Sequence, residues 1–122
     1  MLLDVHCHLT DQHFSESIDT IIKESIKNNL GIIISAGLNV EDNRKVLEIS
    51  KKYEIVKAAL GIYPIDALSM NHDTIENEIN FIGKNKNKIL AISEVGLDYF
   101  YSKDSKKQKE VFQKFIELSE KI

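Results

Sequence analysis

Two histidines, His6 and His8, stand two residues apart at the end of the apolar run Leu2-Leu3-Asp4-Val5. In an extended strand residues i and i+2 leave the same face, so both imidazoles can reach one cation. The alternative for such a pair is one satisfied buried histidine beside one surface histidine. Placement at the carboxyl end of a parallel strand favours the cation, because barrel enzymes assemble their sites on that rim. Asp4 has the same parity one pair earlier, where it can support a ligand histidine or serve in packing at the strand base. Cys7 has the opposite parity and is expected to face the helical layer as a small apolar group. Much later, Glu94 is the first charge after the run Ile89-Leu90-Ala91-Ile92-Ser93. A carboxylate there is costly to bury unless paired or metal-bound, and two imidazoles with a carboxylate suit zinc, manganese or magnesium according to geometry.

Around Glu94 the neighbours are also suggestive. Gly96 allows a close backbone turn, and Asp98 is either a further ligand or a turn cap. Tyr99, Phe100 and Tyr101 can stack nucleobases, and Lys103, Lys106, Lys107 and Lys109 can meet phosphates; the alternative is an apolar flap beside a solvated helix start. His13 and His72 lie in polar surroundings and are expected at the surface.

The elements that must carry these residues follow from hydrophobic period. Residues 2–6 read as a strand, 31–36 as a glycine-bounded, β-branched strand, 55–62 as a third strand closed by Tyr63-Pro64, and 88–94 as a fourth. Between them, residues 15–30 place Ile18, Ile21, Ile22, Ile26 and Leu30 on one helical face with Ser15 as cap, and residues 41–53 bury Val46, Leu47 and Ile49. A third helix is expected from Asp73, with Glu76 completing a capping box and Ile75, Ile79 and Ile82 inward. A fourth is expected from Ser105, paired with Gln108, with the stripe Val111, Phe115, Leu118 and Ile122. Four strand–helix units with nearly all-apolar strands predict an α/β fold with a parallel sheet covered on both faces, strands in sequential order, as in the first half of a TIM-type (β/α)8 barrel. A doubly wound open sheet is the competitor, but His8-Leu9-Thr10-Asp11 lacks its phosphate-binding glycines. No glycine or proline closes the last stripe, so residues 1–122 read as one partial domain.

Composition narrows the partners. Of 122 residues 43% are hydrophobic and 29% charged, which excludes disorder at domain scale. The net charge of −3 does not attract a polyanion as a whole, so any nucleic-acid contact must be local, and Arg44 is the only arginine available for bidentate phosphate recognition. The single cysteine, the absence of a secretion signal at the start and the lack of a membrane-length apolar run lead us to expect a cytoplasmic protein without a membrane partner.

Taken together, Asp4-x-His6-x-His8-Leu9 and Ser93-Glu94-Val95-Gly96-Leu97-Asp98-Tyr99 resemble the TatD-related metal-dependent deoxyribonucleases of the amidohydrolase superfamily, and Gln108 with Phe112 fits the helix that follows. The resemblance runs through the chain but covers only the N-terminal half of the family. It implies a TIM-type barrel, one or two divalent ions held by His6, His8 and Glu94, Glu94 as the catalytic carboxylate, and hydrolysis of DNA phosphodiesters. From the residues themselves we expect substrate contacts at Asp98, Tyr99 and Tyr63; Tyr63 departs from the family, which usually carries histidine after Gly-Ile. The remaining family ligands, two histidines and an aspartate, belong to later strands. The chain alone is therefore expected to bind metal weakly and cleave little. The histidine pair by itself also suits a phosphoesterase of the polymerase-and-histidinol-phosphatase type or a cyclic-amide hydrolase. A further alternative is an inert half-barrel that self-associates or pairs with a missing half.

Overall fold

The computed structural model describes residues 1–14 and 17–122. Four parallel strands, β1 (Leu2–Cys7), β2 (Leu30–Ala36), β3 (Val56–Leu60) and β4 (Ala91–Ile92), lie side by side in chain order. This sequential order is that of a barrel wall; a doubly wound sheet reverses direction from its first strand. Helices α1 (Ile18–Lys27), α2 (Val40–Lys52), α3 (Pro64–Ser69), α4 (His72–Lys84) and α5 (Ser105–Ser119) fill the crossovers and follow the last strand.

Each long helix buries the stripe that its period dictates. Ile22 of α1 packs with Leu9, Ile33 and Val56 in a small core under β1 and β2. The larger core joins Val46 and Leu47 of α2, Ala58 and Leu60 of β3, Ile75, Ile79 and Ile82 of α4, and Val111, Phe115 and Leu118 of α5. Emptying the Phe115 site by substitution to alanine carries a cost of about 3–5 kcal/mol. Among the described residues no helix is long and apolar enough to cross a membrane.

Several local expectations are corrected. Ser15 lies outside the described residues, and α1 begins at Ile18 after Ser17, whose side chain makes no capping bond. The third long helix is capped by Asn71, whose Oδ1 accepts from the Thr74 amide at 2.8 Å, while Glu76 reaches across to Lys114 of α5. In the fourth, Asp104 is the cap, accepting from the Lys107 amide at 3.3 Å, and Gln108 turns inward. The third strand ends at Leu60, short of the expected Ile62, and Pro64 does not close it; its fixed φ instead opens the unforeseen short helix α3 at the first position, where no amide is needed. Strand β4 keeps only two residues of the expected seven: Lys88 belongs to a 3-10 turn, residues 89–90 and 93 lie outside the strand, and Glu94 takes a positive φ.

Strand β1 departs most from the expectation of cover on both faces. Leu2, Leu3 and Val5 are 61%, 53% and 68% exposed, β1 being an edge of the four-stranded sheet. Strand β3, between two neighbours and under three helices, is buried at Val56, Ala58, Ala59 and Leu60.

Candidate metal centre

The two histidines are aimed by separate backbone devices. The register of β1 against β2 shifts between Asp4 and Cys7, and the Asp4 carboxylate accepts from the His6 amide at 3.1 Å. The recorded contact of Asp4 in this region is thus with the His6 backbone, which it holds from two residues earlier. Past the strand, the Leu9 amide donates to buried Ser35 Oγ at 3.3 Å, and His8 Nδ1–H donates to the Ala36 carbonyl at 3.0 Å. That bond to a group that only accepts fixes the His8 tautomer and leaves Nε2 with a free lone pair, the arrangement usual behind a metal-bound histidine. The rings of His6 and His8 meet edge to face, centroids 5.1 Å apart.

Glu94 follows β4 through a constrained turn. The Ser93 amide donates to the Leu60 carbonyl at 3.0 Å, which keeps the chain on β3 for one more residue. Glu94 then takes φ 54°, a left-handed backbone uncommon for a residue with a side chain and costing about 1–3 kcal/mol. Gly96 has φ 143° with open space where a Cβ would sit, so its role is conformational, as its place in the sequence suggested.

This turn delivers the Glu94 carboxylate to both imidazoles: Oε1 lies 2.7 Å from His6 Nε2 and 3.6 Å from His8 Nε2. The contact crosses the sheet from edge to edge. Adjacent strands are roughly 4.8 Å apart, so a flat sheet would separate β1 and β4 by about 14 Å. Contact at 2.7 Å therefore requires the carboxyl ends to curl inward as in a barrel. One donor atom each from His6, His8 and Glu94 lies within 4.8 Å of the others. Two imidazole nitrogens and a carboxylate, partly exposed and converging, are a donor set that fits a divalent ion of the zinc, manganese or magnesium kind.

A second group borders this centre. Tyr63, at the start of α3, donates its hydroxyl to Asp98 Oδ2 at 2.5 Å, and Asp98 Oδ1 accepts from the amides of Phe100 and Tyr101 at 3.0 and 3.1 Å. Both Asp98 oxygens are thus engaged in a turn and in the tyrosine bond, outside the three-residue donor group. The Tyr63 bond holds the Asp98 carboxyl below its ordinary range, and the same bond pushes the Tyr63 hydroxyl up to about 12. Phe100 is 87% exposed and stands edge to face with Tyr101, while Tyr99 is less exposed. Lys103, Lys106 and Lys109 remain in solvent, but Lys107 Nζ donates to the carbonyls of Leu68 and Met70 at 2.9 and 2.6 Å and so tethers the end of α3. Its expected place among the phosphate-facing lysines is corrected accordingly. His13 and His72 are at the surface, His13 paired with Asp11. Cys7 is half-buried against the small core, and burial, with Asp4 nearby, pushes its thiol up to about 11.

Two buried polar residues, Asn43 and Glu78, escaped the sequence reading, and a third, Gln108, was expected as part of a helix cap. Gln108 is bonded to the Asp98 backbone, and Asn43 and Glu78 share a network with Arg44. Glu78 could have been found: it lies three residues after Ile75 and four before Ile82, on the face that α4 buries, and the chain has one arginine to match it.

Comparison with known proteins extends this picture. Residues 3–122 match the family described as TatD related DNase. A Methanocaldococcus jannaschii protein named an uncharacterized metal-dependent hydrolase is 34% identical over 120 residues, covering 98% of this chain and 47% of the relative. A human protein named a deoxyribonuclease is 25% identical over 133 residues, covering 99% of this chain and 48% of its own length. The crystal structure of YjjV, a TatD homologue from Escherichia coli, superposes with a TM-score of 0.86 at 24% identity over 98% of this chain and 47% of that one, which speaks for the fold. The chain spans about half the length of the curated relatives it matches. With the half-barrel topology, the match over residues 3–122 establishes that this chain belongs to the TatD-related DNase family.

Proposed function

We propose that this chain supplies the N-terminal half of a metal-dependent hydrolase barrel acting on DNA phosphodiesters, with His6, His8 and Glu94 as ligands to one of its divalent ions. The observation that carries the reading is the convergence of their donor atoms to within 4.8 Å of one another. Such an ion, when bound, polarises a phosphoryl oxygen and brings the pKa of water toward neutrality. The chain's own residues do the positioning. His8 keeps Nε2 free because Nδ1 is bonded to Ala36, and Glu94 anchors from the opposite edge of the sheet. Tyr99, Phe100 and Tyr101 offer aromatic faces to bases, and Lys103, Lys106 and Lys109 offer charge to phosphates beside an otherwise acidic molecule. Tyr63, bonded to Asp98, Asp98 itself and Tyr99 are the substrate contacts we assign beside the centre.

The human relative's name supports DNA as substrate, and the single cysteine supports a reducing, cytoplasmic setting. The unpaired edges of β1 and β4 and the exposed Leu2, Leu3 and Val5 support association with further strands, from a second copy or a complementary half. Light scattering after gel filtration tests the second copy; a strict monomer at all concentrations contradicts it. For the site, calorimetric titration with Mn2+ and a DNA-cleavage assay are run on the wild-type chain, His6→Ala and Glu94→Gln. The reading expects weak ion binding, lost in both variants, and little cleavage. No ion binding by the wild type contradicts the ligand assignment, and robust cleavage contradicts the account of a half-site.

A further inference from the structure

The network behind the metal centre meets at one side chain. Asn43 of α2 is fully buried, and its carboxamide is bonded to Gly61 at both backbone poles. Nδ2 donates to the Gly61 carbonyl at 2.8 Å, and the Gly61 amide donates to Oδ1 at 3.2 Å. Gly61 in turn lies directly under the Glu94 turn. A methyl group placed on it would fall 1.5 Å from the Ser93 carbonyl oxygen and 3.1 Å from Val95 Cγ1, the residues on either side of Glu94. The same carboxamide packs against Gly37, where an added Cβ would meet Asn43 Oδ1 at 2.1 Å. Gly37 follows Ala36, whose carbonyl orients His8. One side chain thus touches the backbone beneath both halves of the donor group.

Its orientation is fixed from behind. Asn43 Nδ2 also donates to Glu78 Oε1 at 2.8 Å, and Arg44 donates to both Glu78 oxygens at 2.8 and 2.7 Å while its guanidinium lies 3.3 Å over the Phe81 ring. A flipped carboxamide would set Oδ1 against a carboxylate that only accepts. The ion pair therefore dictates which end of Asn43 faces each partner.

We infer that Asn43 is a positioning residue of the metal centre: its carboxamide fixes the spacing between the Ala36 carbonyl that aims His8 and the Ser93–Val95 turn that carries Glu94. The inference rests on the ligand set proposed above. Ligand groups must be held within about 0.5 Å, and outer partners that hold them change metal affinity by roughly 10–100-fold when removed.

The test measures Mn2+ affinity, by calorimetry and by electron paramagnetic resonance of the free ion, beside the unfolding midpoint, on the full 122-residue chain. Val46→Ala is the comparison, since Val46 is fully buried on the same helix and belongs to the apolar core. The expected result is that Val46→Ala lowers the unfolding midpoint and keeps the wild-type affinity, whereas Asn43→Ala weakens Mn2+ binding by at least about tenfold. Asn43→Ser is read in the same way should Asn43→Ala fail to fold. A folded Asn43 variant with wild-type affinity overturns the inference while leaving the ligand set standing. Equal loss of affinity in Val46→Ala overturns it as well, by making the effect one of general stability, and failure of both Asn43 variants to fold does the same. Absence of binding by the wild type overturns the ligand set and this inference with it.

Discussion

Gln108 holds Asp98 by both poles of its backbone: the Asp98 amide donates to Gln108 Oε1 at 2.6 Å, and Gln108 Nε2 donates to the Asp98 carbonyl at 3.1 Å. Gln108 is fully buried, so the two bonds form where water cannot replace them. They fasten the segment after Glu94 to α5 and hold up the exposed aromatic residues 99–101. Gln108→Met keeps the volume and removes both bonds, which leaves the Asp98 backbone groups unsatisfied. We expect a loss of about 2 kcal/mol in urea unfolding and faster hydrogen exchange at the Phe100 and Tyr101 amides. Wild-type stability with unchanged exchange would contradict the clamp.

The Tyr63–Asp98 bond predicts a pH signature. Asp98 is depressed from its ordinary 3.8, so its share of stability is present above that value and disappears as pH falls through the lower folded value. Tyr63 is raised from 10.0 to about 12, so its share is present below 10.0 and disappears as pH rises toward 12. The stability difference between wild type and Tyr63→Phe, measured by urea unfolding, is expected to be level between roughly pH 5 and 9 and to shrink at both extremes. A difference that persists undiminished on the acid side would contradict it.

Arg44 and Glu78 predict a different kind of loss. Glu78 is 1% exposed and both of its carboxylate oxygens accept from the Arg44 guanidinium fork. Arg44→Met retains apolar cover over Phe81 but strands the carboxylate. Because the Arg44 side chain is 40% exposed and water can partly replace it, we expect about 2 kcal/mol from chemical denaturation, below the 3–5 kcal/mol typical of an enclosed pair. A cost near zero would show that Asn43 alone satisfies Glu78.

The larger features of the molecule were legible in the sequence for physical reasons. Long stripes such as Ile75, Ile79 and Ile82 repeat at the helical period, and the β-branched run 31–36 between two helical stretches leaves little choice but a buried parallel strand. His6, His8 and Glu94 stood out as candidates because they are polar groups at the carboxyl ends of apolar runs, which a parallel sheet brings to one rim. What stayed hidden depends on tertiary partners. Asp4 bonds the His6 amide across an irregular stretch of β1, and Gln108 satisfied a backbone ten residues away instead of its own helix start. Lys107 spent its charge on the end of α3. Asn43 looked like an ordinary helix residue because its partners, Gly61 and Glu78, are 18 and 35 positions distant.

The central claim is that His6, His8 and Glu94 hold a common divalent ion, and its most direct measurement is calorimetric titration of the 122-residue chain with Mn2+, repeated on His6→Ala and Glu94→Gln. The account predicts a single class of weak sites in the wild type that disappears in each variant while the fold, followed by circular dichroism, remains. Binding that survives both substitutions, or a wild-type chain that takes up no ion at all, would contradict it.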